Sequence, residues 1–407
     1  MIFYHHQLKN GIRIVHKKTS GSVAHCGIII KGGSRNESDK EQGLAHFIEH
    51  VIFKGTSKRK AYHILSRMED VGGELNAFTT KEETCIYSSF LPKYYKRALE
   101  LLSDITFSSI FPKKELEKEK IVVLDEINYY KDNPSELIFD EFEEQVFSNH
   151  PLGKNILGTP KHIQSFNKTM IEKFIQKNFL TNEIIISSVG NISMSKLIKN
   201  IENHFAHLPK SNLKRDEEPF SNYLKKEIEI KRNGFQAHCM LGIEAYGINH
   251  PKKTAMILLN NILGGPGMNS RLNLAIREKY GFTYSIESNY TAYSDTGIFS
   301  IYLASDNDKI NKSIKLTKKE LVKFCQKPLG TLQLKKAKQQ LIGQIAIAQE
   351  SEVNLMLAMG KSMLLYNKVD TFESVKNKIE AINSNQLFEV ANEVFNLDKL
   401  SCLIYKV

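Results

Sequence analysis

Apolar and polar residues alternate along ten short stretches of the chain. They predict strands at 11–17, 23–31, 73–79, 84–90 and 183–189, and again at 227–231, 237–244, 282–290, 297–303 and 400–406. Ile12 and Ile14, then Ile28 and Ile30, fall on every second position, as a half-buried strand requires. Between the strands the apolar spacing lengthens to about 3.6 residues, and runs such as 113–130 and 332–349 predict long helices. Each half of the chain follows one order: two strands, two helices, two strands, several helices and a final strand. A polar stretch bounded by Pro209 and Pro219 separates the halves and reads as a linker. The expected fold class is α+β, with two homologous α/β-sandwich domains, each a mainly antiparallel sheet packed with helices. Their expected bounds are 1–208 and 224–407, with 209–223 as linker.

Three collinear matches support a duplication. Ala24-His25-Cys26 returns as Ala237-His238-Cys239, 213 residues on. Glu115-Leu116-Glu117-Lys118-Glu119-Lys120 aligns with Gln333-Leu334-Lys335-Lys336-Ala337-Lys338 at an offset of 218, and Phe179 aligns with Phe395 at 216. Near-constant offsets with small insertions are what a duplicated domain leaves behind. The copies differ in chemistry: at offset 213, His46, Glu49 and His50 fall on Leu259, Ile262 and Leu263. One half carries metal-type residues and the other repeats the scaffold without them.

His46-Phe47-Ile48-Glu49-His50 sets two histidines four apart on one helix face, with Glu49 beside them. Zinc takes neutral imidazoles, and hydrolysis needs a carboxylate near the activated water. The order is the inverted form, H-x-x-E-H, of the better-known zinc motif. A helix with histidines at its polar edge is the competing reading. A hydrolytic zinc site needs a third protein ligand. The 113–130 helix offers Glu115, Glu117, Glu119, Asp125 and Glu126. Glu119 and Glu126 point the same way but stand about 10.5 Å apart along the axis, too far for one ion to take both. Glu126 follows the apolar run Ile121-Val122-Val123-Leu124, which places it near the buried side; Glu119 sits in the charged segment Lys118-Glu119-Lys120. In the second half, which lacks the paired histidines, their counterparts are the uncharged Gln344 and Ala337. Glu126 is therefore assigned as third ligand and Glu119 as a supporting carboxylate. One more solvated carboxylate is the competing reading of Glu119.

Composition narrows the class. The 407 residues, 41% hydrophobic and 25% charged, fit a soluble globular protein of two or more domains. No apolar run approaches the ~20 residues of a membrane span. Met1-Ile2-Phe3-Tyr4-His5-His6 lacks the charged start and apolar core of a secretory signal. A cytoplasmic location without a membrane partner is expected. Cys26, Cys85, Cys239, Cys325 and Cys402 are scattered and form no C-x-x-C pair, so they read as free buried thiols. The net charge of +11 invites a nucleic-acid reading. The lysines are spread over the whole chain with no basic stripe among aromatics, so no nucleic-acid partner is expected.

Together these features resemble the pitrilysin/insulinase family of zinc metallopeptidases, in its half-length processing-peptidase branch. The segments that carry the resemblance are Gly43 to Thr56, Gly72-Gly73-Glu74-Leu75-Asn76-Ala77-Phe78-Thr79, Glu119 to Glu126, and Ser270-Arg271-Leu272 with Arg277 to Tyr284. Glu126 lies 76 residues beyond His50, the spacing the family uses for its third ligand. The resemblance implies an endopeptidase with one Zn2+ per chain on His46, His50 and Glu126, Glu49 as general base and Glu119 in support. It also implies that Arg277 and Tyr284 reach an active site from a C-terminal domain. On the residues alone they read as an ion-paired arginine and a strand aromatic. A peptide or unfolded-protein substrate would add as a strand along 73–79, touching Asn76 and Ala77; an ordinary edge strand is the alternative. Full-length relatives carry four such domains. By that analogy two of these chains, as a homodimer or as a heterodimer with a paralogue, would close on a chamber. A non-catalytic core subunit is the rival reading. Gly264-Gly265-Pro266-Gly267 departs from the family's glycine turn by its proline, and resembles, without its length, the glycine-rich loop of the non-catalytic mitochondrial processing subunit.

Overall fold

Two β-sheets organise the chain, each in a compact unit of its own. The computed structural model describes residues 2–213, 215 and 217–407, so Lys214 and Asp216 of the linker stretch lie outside the described residues. The first sheet holds β1 (Tyr4–Gln7), β2 (Arg13–Lys18), β3 (Ala24–Lys31), β4 (Glu74–Thr79), β5 (Glu83–Phe90) and β6 (Ile184–Gly190). Their spatial order is β1-β2-β6-β3-β5-β4. The second holds β7 (Glu227–Lys231), β8 (Ala237–Ala245), β9 (Thr283–Ala292), β10 (Gly297–Ser305) and β11 (Ser401–Lys406), in the order β7-β11-β8-β10-β9. With β1 set aside, the two orders correspond strand for strand. Each contains one parallel pair, β2 with β6 and β7 with β11, and is otherwise antiparallel. The duplication expected from the sequence is thus present in the topology. The additional strand β1 has all four residues exposed, which is why no apolar alternation announced it.

The central strands of the first sheet are buried on both faces, which accounts for the isoleucine runs at 28–30 and 184–186. On one face Cys26, Ile28 and Ile30 pack with Leu44, Phe47, Ile48 and Val51 of the Leu44–Val51 helix. On the other face Ile29 and Ile185 pack against Leu355, Met356, Met359 and Met363 of the Glu352–Tyr366 helix. That helix comes from the far half of the chain. Gly360 allows its close approach: a Cβ there would run into Ile29 and come within 3.0 Å of Ser187 Cβ.

The second sheet receives the reciprocal gift. The Pro134–Val146 helix packs on β8 and β11, where Ile138, Phe142 and Val146 join Met240, Leu403 and Tyr405. The two exchanged helices begin 218 residues apart, the offset already seen between the two copies. The compact units therefore comprise Met1–Asn128, Lys154–Glu217 and Ile347–Thr371, and Tyr129–Gly153, Glu218–Ala346 and Phe372–Val407. Division at 1–208 and 224–407 follows the duplicated sequence, whereas the packed units each take one helical segment from the other half. All five cysteines are free, and Cys239 Sγ lies 3.9 Å from Cys402 Sγ across β8 and β11. Among the described residues no helix is long and apolar enough to cross a membrane.

Candidate metal centre

The Leu44–Val51 helix buries Leu44, Phe47, Ile48 and Val51 as one stripe, which leaves Glu49 and His50 on its flank and His46 at the margin. Gly43 precedes it at φ 93°, where an L side chain is strained, and a Cβ there would meet Leu157 O at 2.6 Å. The first N–H groups of the helix are met by Glu37, whose carboxylate accepts from Gly43 N at 2.9 Å and Ala45 N at 2.8 Å. Burial pushes the Glu37 carboxyl up to about 8 even so.

The Lys113–Lys131 helix turns Leu116, Glu119, Lys120, Val123 and Ile127 inward. Glu126 Oε2 lies 3.5 Å from His50 Nε2 and 3.8 Å from His46 Nε2, and the two nitrogens are 3.3 Å apart. The donor atoms of all three side chains lie within 4.8 Å of one another. Ligand atoms around a tetrahedral zinc stand about 3.3–3.4 Å apart when the bonds are about 2.0–2.1 Å. Two imidazole nitrogens and a carboxylate oxygen at these separations fit that ion. Glu119 meets the other nitrogen of His50: its Oε1 is 3.0 Å from His50 Nδ1, and its Oε2 is 2.7 Å from Lys54 Nζ.

Burial reverses one expectation. The Glu119 side chain is 7% exposed and that of Glu126 is 30%. Ile121 and Val122 are exposed, so the apolar run before Glu126 did not mark the inner face; the buried stripe passes through Leu116, Glu119 and Val123. Glu119 is therefore no solvated carboxylate.

The charges fall into opposed pairs. Burial, then the neighbouring His50, pushes His46 down to about 3, so it offers an unprotonated ring as a metal requires. Among the described residues His46 Nδ1 is buried without a hydrogen-bond partner. Burial also works against charge on His50, but the hydrogen bond to Glu119 and the charges of Glu126, Glu119 and Glu49 outweigh it, and His50 is raised. Glu119 is lowered: burial opposes its charge, and the bonds to His50 and Lys54 prevail. Burial raises Glu126, tempered by His50, and raises Glu49, tempered by Thr79 and His50.

Glu49 adjoins the end of β4 through Thr79. Among the described residues that strand pairs with β5 alone, at the margin of the sheet, with Asn76 exposed and Ala77 half-buried. Arg277 and Tyr284 belong to the second unit. Arg277 is exposed in a π-helical stretch, Asn273–Glu278, and has no ion-pair partner among the described residues. Tyr284 is exposed near the start of β9, its hydroxyl 3.5 Å from Asp306 Oδ1. The structure thus gathers His46, His50, Glu119 and Glu126 and leaves Arg277 and Tyr284 on the other unit. Sequence reasoning passed over Glu37 and Lys54. The four-residue spacing of His46, His50 and Lys54 was the available signal for the latter.

A profile described as Insulinase (Peptidase family M16) matches residues 13–160, and one described as the Peptidase M16 inactive domain matches residues 165–341. The Bacillus subtilis protein named uncharacterized zinc protease YmxG is 34% identical over 399 residues, 97% of this chain and 96% of its own. The chain belongs to the insulinase family, peptidase family M16. Mitochondrial-processing peptidase subunit beta of Bos taurus is 28% identical over 395 residues, covering 95% of this chain and 80% of its own. These relatives place the chain in the half-length processing-peptidase branch of M16. A crystal structure described as the peptidase M16 inactive domain from Pseudomonas fluorescens superposes with a TM-score of 0.93 at 21% identity, over 100% of this chain and 98% of its own. A Helicobacter pylori protease gives 0.91 at 22%, over 100% and 99%. Both share the M16 fold. Within this M16 chain, Leu259 and Leu263 stand where the first copy has His46 and His50, and both are buried in the second core.

Proposed function

We propose that the chain is a zinc-dependent endopeptidase that hydrolyses peptides bound in extended form, inside a chamber closed by two chains. The observation that carries this reading is the approach of His46, His50 and Glu126 to one point, with Glu49 alongside on the same helix. These three residues would hold one Zn2+ per chain and leave a position open. The zinc supplies Lewis-acid activation of water and of the scissile carbonyl. Glu49 takes the proton of the attacking water and returns it to the leaving amine; its raised carboxyl suits a group that must carry a proton in mid-reaction. Glu119 accepts from His50 Nδ1–H and so keeps the bare Nε2 turned toward Glu126 and His46.

Along β4, free backbone groups would pair with an added substrate strand, with Asn76 and Ala77 in contact. Main-chain pairing asks little of the substrate's side chains, which suits peptides and unfolded proteins. Arg277 and Tyr284 of a second copy would steady the oxyanion and the bound backbone. A relative named as a subunit supports action in pairs, either with itself or with a paralogue. Five free thiols accord with a reducing, cytoplasmic setting.

Zinc-loaded protein should cleave a quenched peptide library, stop on chelation and resume when zinc is restored. Glu49→Gln should keep its zinc and lose about 10²- to 10⁴-fold in turnover. A fully zinc-loaded wild type that cleaves nothing would favour the core-subunit reading instead.

A further inference from the structure

The structure assigns Lys54 as a positioning residue for the metal centre, acting through Glu119 on His50; this rests on the zinc reading above. Lys54 follows His50 by four residues, as His50 follows His46. The helix ends at Val51, but Lys54 N still donates to Val51 O at 3.1 Å, so the stripe continues one further step. Gly55, at φ 140°, then redirects the chain. Glu119 spans the gap between His50 and Lys54. Its two oxygens each take one donor, His50 Nδ1 at 3.0 Å and Lys54 Nζ at 2.7 Å.

A carboxylate is planar and turns as one piece, so fixing Oε2 also fixes the direction of Oε1. Lys54 has no other ion-pair partner among the described residues. With Lys54 neutralised, the buried Oε2 would lose its donor, and Glu119 would gain by turning toward whatever water reaches it. His50 Nδ1 would then lose the acceptor that keeps the ring oriented and its Nε2 bare. Lys54 touches no ligand and makes its contribution at one remove. Its side chain is 31% exposed, so it is no buried packing element, and Met replaces its stem without the charge.

Zinc affinity, read by competition with a chromophoric chelator on the full chain, tests the assignment. Lys54→Met should weaken binding about tenfold or more, and Lys54→Arg should recover most of that loss. Glu119→Gln should also weaken binding, and adding Lys54→Met to it should cost less than about twofold further, because the two act along one path. Lys54→Met with affinity within about twofold of wild type would overturn the assignment, as would losses that multiply in the double variant. A lowered melting temperature of the metal-free protein with unchanged affinity would also overturn it, by leaving Lys54 a purely structural residue. A wild type that takes up no zinc at all would instead remove the metal-centre reading.

Discussion

Acid should strip zinc from this protein with the proton count of one imidazole. The perturbation is a shift from about pH 6 to about pH 5. In that window His46, held near 3 by burial and by His50, carries no proton in the metal-free protein. His50 is raised above its ordinary value and is protonated there, so each arriving zinc must displace that proton. Affinity should then fall about tenfold over the unit, or about 1.4 kcal/mol. Two ordinary imidazoles with pKa about 6.5 would give roughly sixtyfold over the same interval. Glu126, also raised by burial, must likewise give up any proton it holds when zinc binds, which adds to the loss as pH falls. Chelator-competition titrations across the interval measure the slope, and calorimetry in buffers of different ionisation heat counts the protons released. An imidazolium signal for His46 in NMR spectra of the metal-free protein across this interval would refute the claim that burial keeps His46 neutral. Glu119→Gln removes the hydrogen bond that raises His50, so the onset of pH dependence should move to lower pH.

Two further outcomes are expected. Chains carrying Glu49→Gln and Tyr284→Phe, each inactive alone, should regain about a quarter of wild-type activity when mixed one to one, since half the dimers are mixed and one of their two sites is intact. No recovery in verified mixed dimers would count against a shared site. Gly360→Ala should destabilise the first unit by about 1–3 kcal/mol through overpacking against Ile29 and Ser187, read as a lowered denaturant midpoint. An unchanged midpoint would mean the Glu352–Tyr366 helix does not lie that close to the sheet.

Much of the architecture was legible because period-2 and period-3.6 patterns act locally. The ten strands expected from alternation correspond to β2 through β11 within a few residues at their ends. Which sheet each helix covers was not legible. Met356 and Phe142 each pack on the sheet of the other copy, because an apolar face is satisfied equally well by either copy of a duplicated scaffold. The π-helical turn around Arg277 also left no periodic trace. At the metal centre, residue spacing singled out the two histidines and the two glutamates seven apart. Burial along the second helix was misjudged, because Ile121 and Val122 are apolar without being inside. Lys54 was only half visible: its four-residue step from His50 marks the helix face, but in a lysine-rich chain its carboxylate partner is not known until the distance is.

The traded helices also bear on the order of events during synthesis. The first sheet cannot be capped on its methionine-lined face until residue 366 has left the ribosome, although its last strand ends at Gly190. Between synthesis of residue 190 and of residue 366 the nascent amino-terminal half therefore shows a bare apolar surface, a natural target for chaperones. The same wiring means that a protease nick between Pro209 and Pro219 would not yield two self-sufficient fragments, since each would have lost a wall that the other still carries.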